Sequence, residues 1–275
     1  MEASSATDLE VSGSRGAVMV RRWDPEGDPG HVVLLAHGYG EHSGRYEHVA
    51  SRLTADGAVV YAPDHYGHGR SDGERAVVDS IEDMAGDLAA VEALAREAHP
   101  SVPFVLIGHS LGGLISTRFV QTRESELAAL VLSGPVVAGN PKILPLMEMD
   151  PIPEVPIDPA TLSRDPAVGE AYAADPLIYH GPFARETLEE FGAAIQRVAE
   201  GPGFGALPAL WIHGELDSLA PYGPTLEAME HLRGAATEEA VYPGAMHEIF
   251  NETNQDEVLD DVSAFVARAV TQDPA

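Results

Sequence analysis

The sequence predicts an α/β fold: a mostly parallel central sheet flanked by helices, with one long insertion. Three observations carry that prediction. Short apolar runs that suit buried strands alternate with amphipathic stretches that suit helices. The pentapeptide Gly108-His109-Ser110-Leu111-Gly112 stands where an apolar run gives way to a helix-like segment. The alternation then breaks after Val131, where prolines crowd the chain.

In chain order, the expected strands are Val32 to Leu35, Val59 to Ala62, Phe104 to Ile107, Leu130 to Leu132, Leu210 to His213 and Ala240 to Tyr242. Ser80 to Ala98 is the clearest helix. Ser80 and Asp83 suit its start, and Ile81, Met84, Leu88, Val91 and Leu94 recur at helical spacing on one buried face. Asp256 to Ala269 reads as a closing helix whose inner side carries Val258, Leu259, Val262, Phe265 and Val266. Between Pro135 and Pro182 the prolines are too closely spaced for long helices. This stretch carries an apolar patch of Ile143, Leu144, Leu146, Met147 and Met149, and Thr187 to Ala199 then reads as helical. Residues 136–204 are therefore expected to form a cap, or lid, inserted into a core made of 1–135 and 205–275. The apolar patch either lines an acyl pocket, touches lipid, or packs as the cap's own core.

The 275 residues suffice for one large domain that buries roughly three-quarters of its unfolded surface. Apolar residues make up 44% and charged residues 22%, so a folded globular chain is expected. The formal charge of −28, from 16 basic and 44 acidic side chains, would repel a phosphate backbone and argues against nucleic-acid partners. With no cysteine, disulfides, thiol nucleophiles and thiolate metal sites are excluded. Residues 1–30 lack a basic start followed by an apolar core, and no aliphatic run approaches the ~20 residues of a membrane span. A cytoplasmic location is the expectation.

Ser110 at the centre of G-x-S-x-G suits a nucleophile on a tight strand-to-helix turn. Gly108 and Gly112 leave room for neighbouring backbone, and the Leu111 N–H opens a helix where it faces an incoming carbonyl oxygen. The loop after the first strand contains Gly38-Tyr39-Gly40, which can bring the Tyr39 N–H to the same point; two such donors make an oxyanion hole. An acid and a base should follow in that order. Asp217 lies just beyond the strand ending at His213, with Glu215 as competitor, and His247 lies just beyond the strand ending at Tyr242. His180 falls in the cap, His213 precedes the acid and His231 rides a helix. Ser110, Asp217 and His247 therefore make the expected triad, with His247 moving the serine's proton and Asp217 holding the imidazole.

The strings HGYGEHSGRY at 37–46, DHYGHGRSDGER at 64–75, GHSLGG at 108–113 and GAMHEIFNE at 244–252 resemble monoacylglycerol lipases of the α/β-hydrolase fold. The likeness continues through Ile157-Asp158, Leu162-Ser163-Arg164 and Asp175-Pro176-Leu177-Ile178, and covers the chain from Trp23 to Phe265. It implies the same triad and an oxyanion hole from Tyr39 and Leu111. It further implies a glycerol-binding group of Glu41, Arg45, His109 and Tyr172, although Glu41 and Arg45 could instead pair to brace their loop. His68 is expected to be structural. Where mammalian members carry cysteine near the acid, this chain has Ser218-Leu219-Ala220. The implied activity is hydrolysis of monoacylglycerols to glycerol and fatty acid through an acyl-enzyme. No metal or other cofactor is implied, and the expected partners are a small lipid ester and transient contact of the cap with micelles or membrane. Competing readings are a broader carboxylesterase, a lysophospholipase, a proline-type aminopeptidase on fold grounds alone, for which the cap advertises no amine-binding acidic pair, and a non-catalytic ligand sensor on the same scaffold.

Overall fold

The apolar runs become the parallel body of one sheet. A computed structural model describes residues 6–123, 126–143, 145, 148–153 and 155–271. Its strands are β1 (Thr7–Ser12), β2 (Ala17–Trp23), β3 (His31–Ala36), β4 (Ala58–Pro63), β5 (Phe104–His109), β6 (Ala129–Ser133), β7 (Ala209–Gly214) and β8 (Thr237–Tyr242). They form an 8-stranded sheet in the order β1-β2-β4-β3-β5-β6-β7-β8. β2 runs antiparallel to both of its neighbours, β1 and β4, and every other pairing is parallel.

Because successive side chains of a strand point to opposite faces, each apolar run feeds two cores. Val32, Leu34, Phe104, Leu106, Leu130 and Trp211 face α2 (Ile81–Ala98) and α3 (Leu111–Thr122). Val33, Leu35, Val105, Ile107, Val131 and Ile212 face α1 (Glu47–Ala55) and α7 (Gln255–Val270). The start of α2 is as the sequence suggests: Ser80 Oγ accepts the Asp83 N–H at 3.1 Å. β1 and β2 were not among the expected strands. β1 is the edge strand and is mostly exposed, and β2 beside it alternates buried with half-buried residues up to Arg21-Arg22, so polar side chains interrupt the apolar signal.

Among the described residues between β6 and β7 are the α-helices α4 (Pro166–Ala174) and α5 (Arg185–Glu200). α4 lies within the proline-dense stretch, where Pro166 opens the helix rather than breaking it and Asp165 caps it by accepting the Ala167 N–H at 2.9 Å. Leu162, Tyr172 and Ile178 form a small buried cluster here. Of the apolar patch, Met149 is exposed, whereas Leu144, Leu146 and Met147 lie outside the described residues. α6 (Tyr222–Leu232) follows β7. No helix among the described residues is long and apolar enough to cross a membrane.

Register decides where chemistry can assemble. Ala36 pairs with Gly108, His109 with Ser133, and Gly214 with Tyr242, so the strand ends form one row. The segments carrying Tyr39, Ser110, Asp217 and His247 all leave the sheet at this carboxyl edge, where open parallel sheets place their ligands.

Candidate active site

Ser110 sits between β5 and α3 at φ 54°, ψ −115°, a conformation that costs a non-glycine residue roughly 1–3 kcal/mol. Surrounding backbone holds it there: Ser110 N–H donates to Ser133 O at 2.9 Å, and its own carbonyl accepts the Val136 N–H at 3.1 Å. The flanking glycines are required by close approach. A Cβ on Gly112 would lie 2.0 Å from Ala36 O, and one on Gly108 would lie 2.4 Å from Gly112 O.

His247 Nε2 lies 2.9 Å from Ser110 Oγ, and its Nδ1 lies 2.7 Å from Asp217 Oδ2. All three residues are buried. Asp217 Oδ1 accepts the N–H groups of Leu219 and Ala220 at 2.9 and 2.8 Å, which orients the carboxylate. Burial opposes its ionisation, but His247 and these donors outweigh that and hold its pKa below the ordinary value. Burial likewise pulls His247 down, and Asp217 outweighs it, leaving the imidazole raised above 6.5. Glu215 is exposed and accepts the Gly244 N–H at 2.9 Å, away from the imidazole's Asp217 partner. His213 belongs to Asp217's support: its Nδ1 accepts the Trp211 indole N–H at 3.0 Å, so its proton sits on Nε2, 2.8 Å from Ala220 O.

Ser110 opens onto a cavity of about 320 Å³. Its wall is chiefly apolar, from Val136, Ile143, Ile157, Leu162, Leu188 and Phe191 among others. Tyr39 and Leu111 both line it. Among the described residues, neither the Tyr39 nor the Leu111 backbone N–H has an acceptor within the protein. The Tyr39 ring stacks on Phe183 at 4.7 Å.

Three of the four residues implied for a glycerol head, Glu41, His109 and Tyr172, line the cavity; Arg45 does not. Its guanidinium is spent behind them: Nη1 donates to Glu41 Oε2 and Glu248 Oε1, each at 2.6 Å, and Nη2 donates to Glu248 Oε2 at 2.7 Å. Glu41 Oε1 accepts both the Gly38 N–H and the Tyr46 hydroxyl at 2.6 Å. Burial disfavours the Glu41 charge, yet Arg45 outweighs it and the carboxyl is held down at about 2. The two residues therefore brace their loop. Burial and the neighbouring His247 push His109 down to about 4, so it is neutral at pH 7, with Nδ1 3.1 Å from Ser133 O. His68 is buried, its Nδ1 bound to Tyr66 O at 3.1 Å.

Sequence reasoning missed two carboxylates. Glu248 joins Arg45 and lines the cavity. Glu252 has a side chain with no exposed area and accepts the Met246 N–H at 2.7 Å and Arg164 Nε at 2.9 Å, tying the segment before His247 to the β6–β7 connection. Both stand in the quoted string GAMHEIFNE, but neither offers a spacing rule that separates it from a solvated glutamate. Two further contacts tie the connection to the segment after Tyr39: Tyr179 N–H donates to Gly40 O at 2.7 Å, and His42 Nε2 meets Asp175 Oδ2 at 2.9 Å.

Comparison with known proteins identifies the family. The family described as serine aminopeptidase, S33, matches residues 27–254. A monoacylglycerol lipase of Mycolicibacterium smegmatis is 36% identical, the match covering 97% of this chain and 99% of that protein. The monoglyceride lipase of Homo sapiens is 32% identical over 84% of this chain and 80% of its own length. The crystal structure of the Paleococcus ferrophilus monoacylglycerol lipase superposes with a TM-score of 0.78 at 28% identity, covering 91% of this chain and 99% of that one. This chain therefore belongs to the family of serine hydrolases with the α/β-hydrolase fold that contains the monoacylglycerol lipases.

Proposed function

We propose that this protein hydrolyses monoacylglycerols to glycerol and fatty acid, with Ser110 as nucleophile, His247 as general base and acid, and Asp217 as the group that orients and stabilises the imidazole. The observation that carries the reading is the hydrogen-bonded succession Ser110–His247–Asp217, at 2.9 and 2.7 Å, opening on an apolar cavity. The similarity to monoacylglycerol lipases supports the choice of ester.

His247 Nε2 takes the Ser110 proton as Oγ attacks the ester carbon, and the carbonyl oxygen becomes an anion facing the free N–H groups of Tyr39 and Leu111. The bond to glycerol breaks as His247 returns the proton to the leaving oxygen. Water, deprotonated by the same imidazole, then releases the fatty acid and restores Ser110. Val136, Ile143, Ile157 and their neighbours hold the acyl chain, while Glu41, His109 and Tyr172 supply polar atoms for the two free hydroxyls of the glycerol. Residues 136–204 serve as the cap, and 1–135 with 205–275 as the core.

The family description also raises aminopeptidase chemistry, which needs carboxylates open to a substrate ammonium. Glu41 and Glu248 both line the cavity, but Arg45 bridges them and occupies the place such an ammonium would take. That favours an uncharged ester.

The test is a panel of monoacylglycerols, triacylglycerols, lysophospholipids, short-chain esters and aminoacyl amides, compared by kcat/KM at matched acyl length where one exists. Monoacylglycerol should lead, and Ser110→Ala should lower its turnover by about six orders of magnitude. A higher kcat/KM for triacylglycerol or lysophospholipid would overturn the substrate, and an active Ser110→Ala would overturn the mechanism.

A further inference from the structure

The loop that carries one oxyanion donor reads Gly38-Tyr39-Gly40, so the peptide group between Gly38 and Tyr39 is preceded by a residue with no side chain to restrain it. A flipped peptide would aim the Gly38 carbonyl, rather than the Tyr39 N–H, at Ser110. The structure holds this peptide by its carbonyl and the preceding peptide by its N–H. Gly38 N–H donates to Glu41 Oε1 at 2.6 Å, and Gly38 O lies 2.8 Å from Nδ1 of His37.

Which ring nitrogen of His37 carries the proton follows from its other contact. The His65 backbone N–H, which can only donate, points at His37 Nε2 at 3.0 Å. Nε2 is therefore the acceptor, the proton sits on Nδ1, and Nδ1–H donates to Gly38 O. His65 closes the arrangement from its own ring, Nε2 lying 3.2 Å from His37 O. His37 has no exposed surface, and its ring meets those of His65 and His68 at 4.2 and 5.5 Å. Burial, reinforced by His68, pushes its pKa down to about 3, so the neutral tautomer persists through the working range.

We propose that His37 is a positioning residue: its Nδ1–H fixes the Gly38 carbonyl so that the Tyr39 N–H, on the opposite side of the same trans peptide plane, stays aimed at the oxyanion. The proposal rests on the esterase reading above for the role of the Tyr39 N–H. His37 never touches substrate. It acts only through the peptide, so its loss should weaken transition-state binding and leave ground-state binding nearly intact.

Two variants separate this role from packing. In His37→Asn the side-chain amide nitrogen can take the place of Nδ1 and keep the donor to Gly38 O. In His37→Gln the amide reaches the place of Nε2 and that donor is lost. We expect His37→Gln to lower kcat about 100-fold with KM nearly unchanged, and His37→Asn to remain within about 10-fold of the wild type. The affinity of a trifluoromethyl ketone, whose adduct with Ser110 carries an oxyanion, should fall in parallel with kcat/KM across the series. Equal losses in the two variants, or lost turnover with unchanged ketone affinity, would overturn the proposal.

The wild-type protein supplies a test that needs no variant. Long-range ¹H–¹⁵N NMR should find the His37 proton on Nδ1, and a proton on Nε2 would overturn the clamp. If wild type hydrolysed none of the esters in the panel, the esterase reading would fall, whereas the tautomer would still be judged by its own spectrum.

Discussion

Replacing Asp217 by asparagine should disable the reaction through proton placement, and the structure fixes which way the new amide faces. Asp217 Oδ1 accepts two backbone N–H groups, from Leu219 and Ala220, while Oδ2 faces His247 Nδ1. If the asparagine NH2 turned toward the two backbone donors, the half-buried Leu219 N–H and the buried Ala220 N–H would both lose their acceptor, the buried one at about 1–3 kcal/mol. At least about 1 kcal/mol therefore favours the amide oxygen on the backbone side and the NH2 toward His247. The imidazole must then accept at Nδ1 and carry its proton on Nε2, where it donates to Ser110 Oγ instead of receiving from it. A serine with no base should lose about 10⁴-fold in kcat, equivalent to about 5.4 kcal/mol of transition-state stabilisation. KM for monoacylglycerol should change little and the thermal midpoint should fall only modestly, because shape and packing are kept. Steady-state hydrolysis with purified Asp217→Asn is the assay. A kcat within about 10-fold of wild type would refute the proton-placement reasoning.

Three other outcomes follow from the same geometry. Since attack needs unprotonated His247 and its pKa is raised above 6.5, kcat/KM should climb through an acid limb centred above that value; a limb centred below it in a pH–rate profile would contradict the Asp217 effect. The linkage runs the other way for stability: the raised His247 contributes most below its unfolded value, and that contribution is lost as pH rises through the folded one. Gly112→Ala places a Cβ 2.0 Å from Ala36 O, a backbone atom unable to swing aside, so thermal melting should show destabilisation of about 1–3 kcal/mol or more, with slower labelling of Ser110 by a fluorophosphonate. Arg45→Met strands Glu41 and Glu248 as buried, uncompensated carboxylates; denaturant unfolding should register a loss of about 3–5 kcal/mol, and a neutral result would show that water already reaches them.

The parallel strands were legible because burial on both faces demands unbroken runs such as Val32 to Leu35 and Phe104 to Ile107, which few other contexts produce. β1 and β2 were not, since the exposed edge strand β1 and the half-buried faces of β2 beside it admit polar residues that break an apolar run. α4 was hidden by its own proline, which reads as a helix breaker until a capping carboxylate such as Asp165 is seen before it. Ser110, Asp217 and His247 were readable because each directly follows a strand end and the chemistry demands that order. Arg45 shows the limit of resemblance: its residue type matches the motif, but its donors face Glu41 and Glu248 while Glu41, His109 and Tyr172 line the cavity.

By itself, then, the sequence determined the α/β class, the strand-to-helix turn that carries Ser110, and which carboxylate and imidazole follow it, because periodicity and local turn chemistry are encoded by neighbouring residues. Tertiary structure alone decided that Glu248 and Arg45 share a buried network, that Glu252 ties the His247 segment to Arg164, and that a neutral His37 faces the Gly38 carbonyl. Those contacts join residues from different loops, and hydrogen-bond geometry, tautomer and burial are set by distances that exist only after strand register has aligned the loops along one edge.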